Sequence, residues 1–218
     1  MRIGLVGAGR VGRGLAKLAV DAGCDVTISN SRGPASLVGL AAQVGARAGK
    51  VQSAVEQSDV CVVAVPFTRV FGIDPYLFEG RTLIDVNNYH PERDGDIAAL
   101  DLRQTTTSEM VQQHFRSAGV VKAFNVIPAT DLSPPFGVAG RKRALPMAGD
   151  DAESLQLVAC LHELLGLDVV NAGRLAESWR FERGEPAYCT PLDEAGLRVA
   201  LAQAQRAVAF CDDYWGND

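Results

Sequence analysis

The stretch MRIGLVGAGRVGRGLA, residues 1–16, decides the fold. Apolar residues within Arg2–Val6 predict a short buried strand, and apolar residues at helical spacing follow it. Between the two patterns, Gly7, Gly9 and Gly12 stand in the G-x-G-x-x-G spacing. In that spacing the first glycine allows a tight turn, the second lets a pyrophosphate approach the backbone, and the third lets the helix pack closely. The stretch therefore predicts a dinucleotide-binding turn that joins the first strand to the first helix.

Strand and helix patterns alternate along the rest of the chain. Such alternation predicts an α/β fold of the Rossmann type: a doubly wound, mostly parallel sheet with an extra strand–helix–strand unit and a C-terminal helical tail. We expect a dinucleotide-binding domain over residues 1–173, with its core at about 1–125 and the extra unit at about 143–172, followed by a helical segment over 174–218. The predicted strands cover residues 2–6, 25–29, 46–49, 59–66, 81–86, 119–124, 143–150 and 167–173, and the predicted helices cover 10–22, 34–45, 53–58, 107–115, 151–165 and 191–212.

The composition is that of an ordinary globular protein, with 47% hydrophobic and 22% charged residues and a net charge of −5. The negative charge argues against general affinity for nucleic acid or for an anionic membrane, so any phosphate binding must be local. No apolar run approaches the ~20 residues that span a bilayer, and no signal-type segment opens the sequence, so we expect a cytoplasmic protein. The five cysteines form no C-x-x-C pair and the three histidines show no ligand spacing. We therefore expect no bound metal and no disulfide framework, with Cys24 and Cys61 buried among apolar residues.

The segment after the second strand lacks the acidic residue that usually binds the adenosine ribose of NAD. Ser29, Asn30, Ser31 and Arg32 occupy that place. These residue types also suit an ordinary turn, but a turn alone does not account for the arginine. A carboxylate would repel the ribose phosphate of NADP, whereas hydroxyl and amide groups donate hydrogen bonds to it and a guanidinium adds a charged one. We therefore expect NADP(H) as the cofactor, with Arg10 placed to flank the same phosphate.

Five segments together resemble one known family. They are GLVGAGRVGRGLA, ISNSRGP, VVAVPF, IDVNNYHP and VVKAFNVIPA, which begin at residues 4, 28, 62, 84 and 120. The family is that of the NADPH-dependent oxidoreductases that use the 8-hydroxy-5-deazaflavin coenzyme F420, with their relatives of unknown electron acceptor. The resemblance covers about residues 1–130 and continues more loosely beyond them. Ser36 departs from the pattern, because the family often has a basic residue there.

The resemblance implies direct hydride transfer between NADPH and a flat, small-molecule electron acceptor of the deazaflavin type. Both rings carry their own reactivity and the protein aligns them, so we assign no catalytic acid, base or nucleophile. Lys122, Tyr89 and His90 stand near the expected site, and we expect a strand-end lysine to be solvated or paired. The cofactor-binding residues expected from the motif, the ribose argument and the resemblance are Gly7, Ala8, Gly9, Arg10, Val11, Gly12, Asn30, Ser31, Arg32, Ser36, Val65, Pro66, Phe67, Ala123 and Asn125.

Two other functions remain open. A small imine or keto reductase shares this cofactor turn, but it needs a proton donor and a substantial helical substrate domain. The tail from Arg174 is too short to supply that domain unless a dimer completes it. A redox sensor would bind NADPH and signal through a partner without turnover, and a fold does not decide between sensor and enzyme.

Aromatic residues are dense in the stretch AESWRFERGEPAYC, residues 176–189. One interpretation is that Trp179, Phe181 and Tyr188 pack the tail on its own sheet. The other is that they help to form a homodimer and close the acceptor pocket beside the nicotinamide.

Overall fold

The central sheet has eight strands in the order β10-β9-β6-β5-β4-β1-β2-β3. The computed structural model describes residues 1–138 and 140–206. All neighbouring strands are parallel except β6 and β9, which are antiparallel. The strands of this sheet are β1 (Arg2–Val6), β2 (Asp25–Ser29), β3 (Arg47–Ala48), β4 (Val60–Val63), β5 (Thr82–Asp85), β6 (Gly119–Ala123), β9 (Ala144–Gly149) and β10 (Asp168–Asn171), while β7 (Gly137–Val138) and β8 (Arg141–Lys142) form a separate hairpin.

Helices cover both faces of the sheet, as the alternation of patterns predicts. The capping box that precedes α7 is formed by Thr106 and Glu109. The predicted helix over 34–45 divides into a short 3₁₀ helix, Pro34–Leu37, followed by α2. The helices are α1 (Arg10–Asp21), α2 (Val38–Val44), α3 (Val51–Glu56), α4 (Phe67–Val70), α5 (Pro91–Asp94), α6 (Ala98–Asp101), α7 (Thr107–His114), α8 (Ala152–Leu164) and α9 (Glu194–Gln203), with further 3₁₀ helices at Pro75–Phe78, Ala129–Asp131 and Leu175–Phe181.

The core lies on the two faces of the sheet because its central strands are apolar on both sides. All four residues of β4 are buried. One layer includes Leu5 and Ile28, and the other includes Phe67 and Phe115. This double burial is typical of parallel strands covered by helices. The Rossmann-type fold predicted from the sequence is therefore confirmed.

The C-terminal part differs in length from its prediction. Helix α9 ends at Gln203, residues 204–206 are not helical, and the remainder of the predicted 191–212 helix lies outside the described residues. The Leu175–Phe181 helix returns to the sheet, and the Phe181 ring is fully buried. No helix in the described part of the chain is long and apolar enough to cross a membrane.

The antiparallel pairing of β9 with β6 changes which end of β9 faces the site. Ala123, at the end of β6, pairs with Met147, while Val121 pairs with Gly149. The start of β9 therefore lies at the edge where the parallel strands end. In α/β sheets this edge is where ligands bind.

Candidate functional site

The glycine turn is tightly packed at two glycines and open at the third. Gly7 has φ +118, and a Cβ there would overlap the carbonyl of Ala64. A Cβ on Gly12 would overlap the carbonyl of Gly7, so this glycine lets α1 lie against the turn. A Cβ on Gly9 would meet nothing within 4 Å. Gly9 therefore faces open space, which suits the close approach of a ligand to its backbone.

The first turn of α1 presents unpaired amides to that space. Gly9 occupies the N-cap position, no side chain caps the helix, and no acidic residue stands in the first turn. An uncapped helix start carries free N–H groups and the positive end of the helix dipole, which together favour an anion. Arg13 donates from Nε to the carbonyl of Ala8 at 2.9 Å and so holds the turn from outside. The turn is therefore prepared for a pyrophosphate.

The end of β2 separates residues that shape the turn from residues that are exposed. Ser29 is buried and donates from Oγ to the carbonyl of Leu5 at 2.9 Å. The Asn30 Oδ1 accepts from the Arg32 amide at 2.9 Å, and its Nδ2 donates to Ser36 Oγ at 3.0 Å. Asn30 and Ser36 thus form the internal bonds of this turn.

The side chains of Ser31 and Arg32 project from the same turn. Both residues are exposed, and neither side chain bonds to another residue that the structure describes. An uncommitted guanidinium at this position fits a ribose phosphate, because it adds charge-assisted hydrogen bonds without first breaking an ion pair.

A cleft of about 320 Å³ lies beside the glycine turn, at the carboxyl ends of the parallel strands. It runs from Gly9 and Arg10 past Val65 and Pro66 to Asn125. None of the described residues that line it is acidic. Its other lining residues are Val11, Ala64, Val86, Asn87, Asn88, His90, Arg93, Phe124, Ile127, Pro128, Ala129, Tyr188 and Cys189.

Phe67 and Ala123 do not line the cleft. Both are fully buried, and the Phe67 ring packs edge-on against Phe71 with their centroids 5.3 Å apart. Cys24 and Cys61 are buried, as the sequence predicted.

Asn125 lines the far end of the cleft, and one polar atom of its side chain has no partner among the described residues. Its Nδ2 donates to Asn88 Oδ1 at 3.0 Å and to the carbonyl of Phe181 at 2.9 Å. Its Oδ1 is buried and accepts from no described residue. A buried carbonyl oxygen without a donor is costly, so this atom suits a ligand that brings an N–H group. A nicotinamide carboxamide has such a group.

Lys122 lies behind the cleft, in a buried polar network. Its Nζ donates to the carbonyl of Asn87 at 2.5 Å and to Thr107 Oγ1 at 2.7 Å. Thr107 Oγ1 donates in turn to Glu182 Oε1 at 2.7 Å. The lysine is therefore paired, and it does not line the cleft.

The aromatic residues of the 176–189 stretch go to three different places. Phe181 is in the core, Tyr188 lines the cleft, and Trp179 lines a separate cavity of about 240 Å³. Burial and the neighbouring Cys189 raise the pKa of the Tyr188 phenol to about 12. Only Tyr188 of the three aromatics contributes a wall to the cleft.

The sequence does not predict several of the residues that line the cleft. Asn87, Asn88 and the Ile127–Ala129 turn follow predicted strands, and the rule that ligands bind at strand ends points toward them. Tyr188 and Cys189 carry no comparable signal, because only the return of the C-terminal segment brings them to the cleft.

Known proteins resemble both the sequence and the fold. The family model for coenzyme F420-dependent NADP oxidoreductases matches residues 2–89. The structure of the hypothetical protein SMa0349 from Sinorhizobium meliloti is 30% identical, with a TM-score of 0.77 over 88% of this chain and 94% of that one. A proposed F420-dependent NADP-reductase from Arthrobacter sp. FB24 is 23% identical, with a TM-score of 0.71 over 82% of this chain and 87% of that one. The protein YjhV of Escherichia coli K12 is 35% identical over 72 residues, which are 33% of this chain and 52% of YjhV.

The match of residues 2–89 to the family model defines the class of protein as the NADP-dependent oxidoreductases. Within that class, the chain belongs to the coenzyme F420-dependent NADP oxidoreductase family. The match spans about half the length of the curated relative YjhV.

Proposed function

We propose that the protein transfers hydride between NADPH and a flat redox acceptor of the deazaflavin type. The observation that carries this proposal is the cleft that joins the uncapped start of α1 to Asn125, whose Oδ1 accepts from no described residue, with no acidic lining residue among those described. Such a cleft accommodates an anionic dinucleotide along its length and leaves an apolar wall for a ring.

The residues at the cleft and in the turn after β2 fit NADP(H). The amides of the first α1 turn bind the pyrophosphate, and Ser31 and Arg32 bind the ribose phosphate. Asn125 accepts a hydrogen bond from the carboxamide and so orients the nicotinamide ring. When bound, NADPH supplies a hydride at that ring. Val65, Pro66 and Ile127 exclude water from the place where the acceptor ring would lie.

Imine reduction is the second candidate, and Tyr188 is the observation that favours it. Tyr188 lines the cleft, and a tyrosine phenol is protonated at neutral pH even at its ordinary pKa of about 10. Imine reduction consumes a proton as well as a hydride, so a protonated phenol beside the acceptor would serve it. Hydride addition to a deazaflavin leaves the negative charge spread over the ring, which solvent can protonate, so it places no such demand on Tyr188.

Stopped-flow oxidation of protein-bound NADPH tests these proposals. The acceptors are 8-hydroxy-5-deazaflavin, a cyclic imine and a β-keto acid, and Gly9→Val is the control that lacks the cofactor site. We expect rapid oxidation by the deazaflavin alone, with Tyr188→Phe as fast as the wild type. Oxidation by the imine, with turnover lost in Tyr188→Phe, would replace the first proposal by the second. Tight NADPH binding with no oxidation by any acceptor would support a sensor.

A further inference from the structure

A second cavity, of about 210 Å³, lies next to the cleft. The charged residues that line it are Asp131 and Arg143, and Ser133 contributes a hydroxyl-bearing side chain. The cavity and the cleft share two walls. The Ala129–Asp131 helix gives Ala129 to the cleft and Asp131 to the cavity. The segment from Tyr188 to Pro191 gives its first residues to the cleft and its last to the cavity.

Arg143 is buried with most of its hydrogen-bonding capacity unused. The residue is only 5% exposed. Its Nη1 donates to Asp131 Oδ2 at 3.1 Å, whereas Nε and Nη2 are buried and reach no acceptor among the described residues. Asp131 does not enclose the pair, since 41% of its side chain is exposed.

The unused nitrogens form one edge of the guanidinium. Nε–H and the adjacent Nη2–H point in parallel, and that edge matches the two oxygens of a carboxylate. Leaving buried donors unpaired is costly, and the cost is greater when the group is charged. Arg143 therefore has a reason to accept a second anionic partner that Asp131 does not satisfy.

The position of Arg143 follows from the reversed direction of β9. Arg143 immediately precedes Ala144, the first residue of β9, and that end of the strand lies at the ligand-binding edge of the sheet. A parallel strand in this place would have put its first residue at the opposite edge. The fold thus delivers a buried cation to the neighbourhood of the cleft.

We propose that the Arg143 cavity is an anion-binding subsite that takes the carboxylate of a small organic ligand. The carboxylate pairs with the Nε and Nη2 edge, and Asp131 stays on Nη1. The proposal does not rest on the proposed hydride transfer, because Arg143 can bind an anion whether or not NADPH is bound.

Nuclear magnetic resonance of the arginine side chains tests the subsite directly. The full-length protein is labelled with ¹⁵N-arginine and titrated with malonate, with inorganic phosphate, and with sodium chloride at matched ionic strength. We expect a saturable shift of the Arg143 Nε–H signal with malonate and none with chloride. A comparable response to phosphate would assign the site to anions in general and would overturn its preference for carboxylate.

Two variants and one control complete the experiment. Arg143→Gln should weaken malonate binding about tenfold or more, because a charge-assisted pair is lost. Asp131→Asn should strengthen it, since the guanidinium then lacks its internal counter-charge. Arg141→Gln is the control: Arg141 lies in β8, two residues before Arg143, but is exposed and pairs with Asp193 at 2.9 Å. The absence of a saturable Arg143 shift in the wild type would overturn the proposal, even if Arg143→Gln fails to fold.

Discussion

The ammonium of Lys122 and the carboxylate of Asp85 meet inside the protein, with Nζ 3.5 Å from Oδ2 and neither side chain exposed. Asp85 also accepts from Ser108 Oγ at 2.6 Å and from Asn87 Nδ2 at 2.7 Å. Asn87 lines the cleft, and this buried pair holds it in place, because its side chain donates to Asp85 and its carbonyl accepts from Lys122. The pair therefore supports the site from behind.

Lys122→Met should destabilise the protein by about 3–5 kcal/mol, because removing one partner leaves the buried Asp85 charge uncompensated. Chemical denaturation measures the free energy of unfolding. Lys142→Met is the matched control, since Lys142 is exposed and lies 3.9 Å from Asp168. A similar, small loss in both variants would show that the buried pair does not stabilise the fold.

Arg32→Ala should weaken NADPH binding by about tenfold or more and leave NADH binding nearly unchanged, since only NADPH carries the ribose phosphate. Titration calorimetry with each cofactor measures both affinities. Arg116→Ala serves as the control, because Arg116 is exposed and precedes β6, at the opposite edge of the sheet. Equal losses of affinity for NADPH and NADH would show that Arg32 does not contact the ribose phosphate.

Gly9→Val should abolish binding of either dinucleotide in a folded protein. The new side chain enters the space that a pyrophosphate needs, while its Cβ would meet no protein atom within 4 Å. Gly12→Val is the contrasting variant, and it should lower the melting temperature because its side chain would overlap the Gly7 carbonyl. Unchanged NADPH binding by folded Gly9→Val would place the cofactor elsewhere.

His162 should make the fold sensitive to mild acid. Burial lowers the pKa of this fully buried imidazole to about 4, although Nδ1 bonds to the Val158 carbonyl at 2.8 Å. The unfolded chain, with a histidine pKa near 6.5, then binds the extra proton between about pH 6.5 and 4. The free energy of unfolding should therefore fall by about 3 kcal/mol as the pH drops through this window.

A leucine at this position isolates the effect of the imidazole. His162→Leu should show a flatter dependence of the unfolding free energy on pH between about 6.5 and 4.5, measured by urea denaturation at each pH. His114→Leu is the comparison, since His114 is only partly buried and bonds to the Ile73 carbonyl at 2.8 Å. An unchanged pH dependence in His162→Leu would assign the acid sensitivity to other groups.

Trp179→Ala tests the proposed homodimer. Trp179 lines a cavity that is separate from the cleft, with the Arg206 guanidinium 5.8 Å from its ring centre. We expect weaker self-association in sedimentation velocity and unchanged NADPH affinity. Arg198→Ala, on the exposed side of α9, is the control. If the wild type is monomeric, or if the variant shows only a lower melting temperature, then Trp179 packs within its own chain and forms no dimer contact.

The sequence predicts the cofactor half of the site better than the acceptor half. The turn at Gly7 and the exposed Arg32 follow local rules, because turn geometry and strand ends are determined by neighbouring residues. The pairing of Asn88 with Asn125 joins two strand ends across the sheet, and the place of Tyr188 depends on the return of the C-terminal segment. Such contacts come from tertiary packing, which leaves no periodic signal in the chain.

The distinction between local rules and tertiary packing also explains why Phe67 and Lys122 lie away from the cleft. Both residues lie in segments that carry the family resemblance, yet both side chains are fully buried and neither of them lines the cleft. A motif gives the place of the backbone but not the direction of each side chain. Phe67 begins α4 and packs into the core, whereas Lys122 lies in β6 with its side chain buried.

Because β9 runs antiparallel to β6, the two sides of the proposed site come from different parts of the chain. The cofactor turn and the ribose phosphate loop belong to β1 and β2, on one side of the sheet centre. Much of the far wall of the cleft and of the Arg143 cavity belongs to the excursion that leaves β6 at Phe124 and returns as β9, with further residues from the 188–191 segment. Substitutions or insertions in that excursion would change the wall of the cleft without changing β1 and β2, where we propose that the nucleotide binds. The two halves of the proposed site, one for the reductant and one for its counterpart, therefore come from separate stretches of the chain.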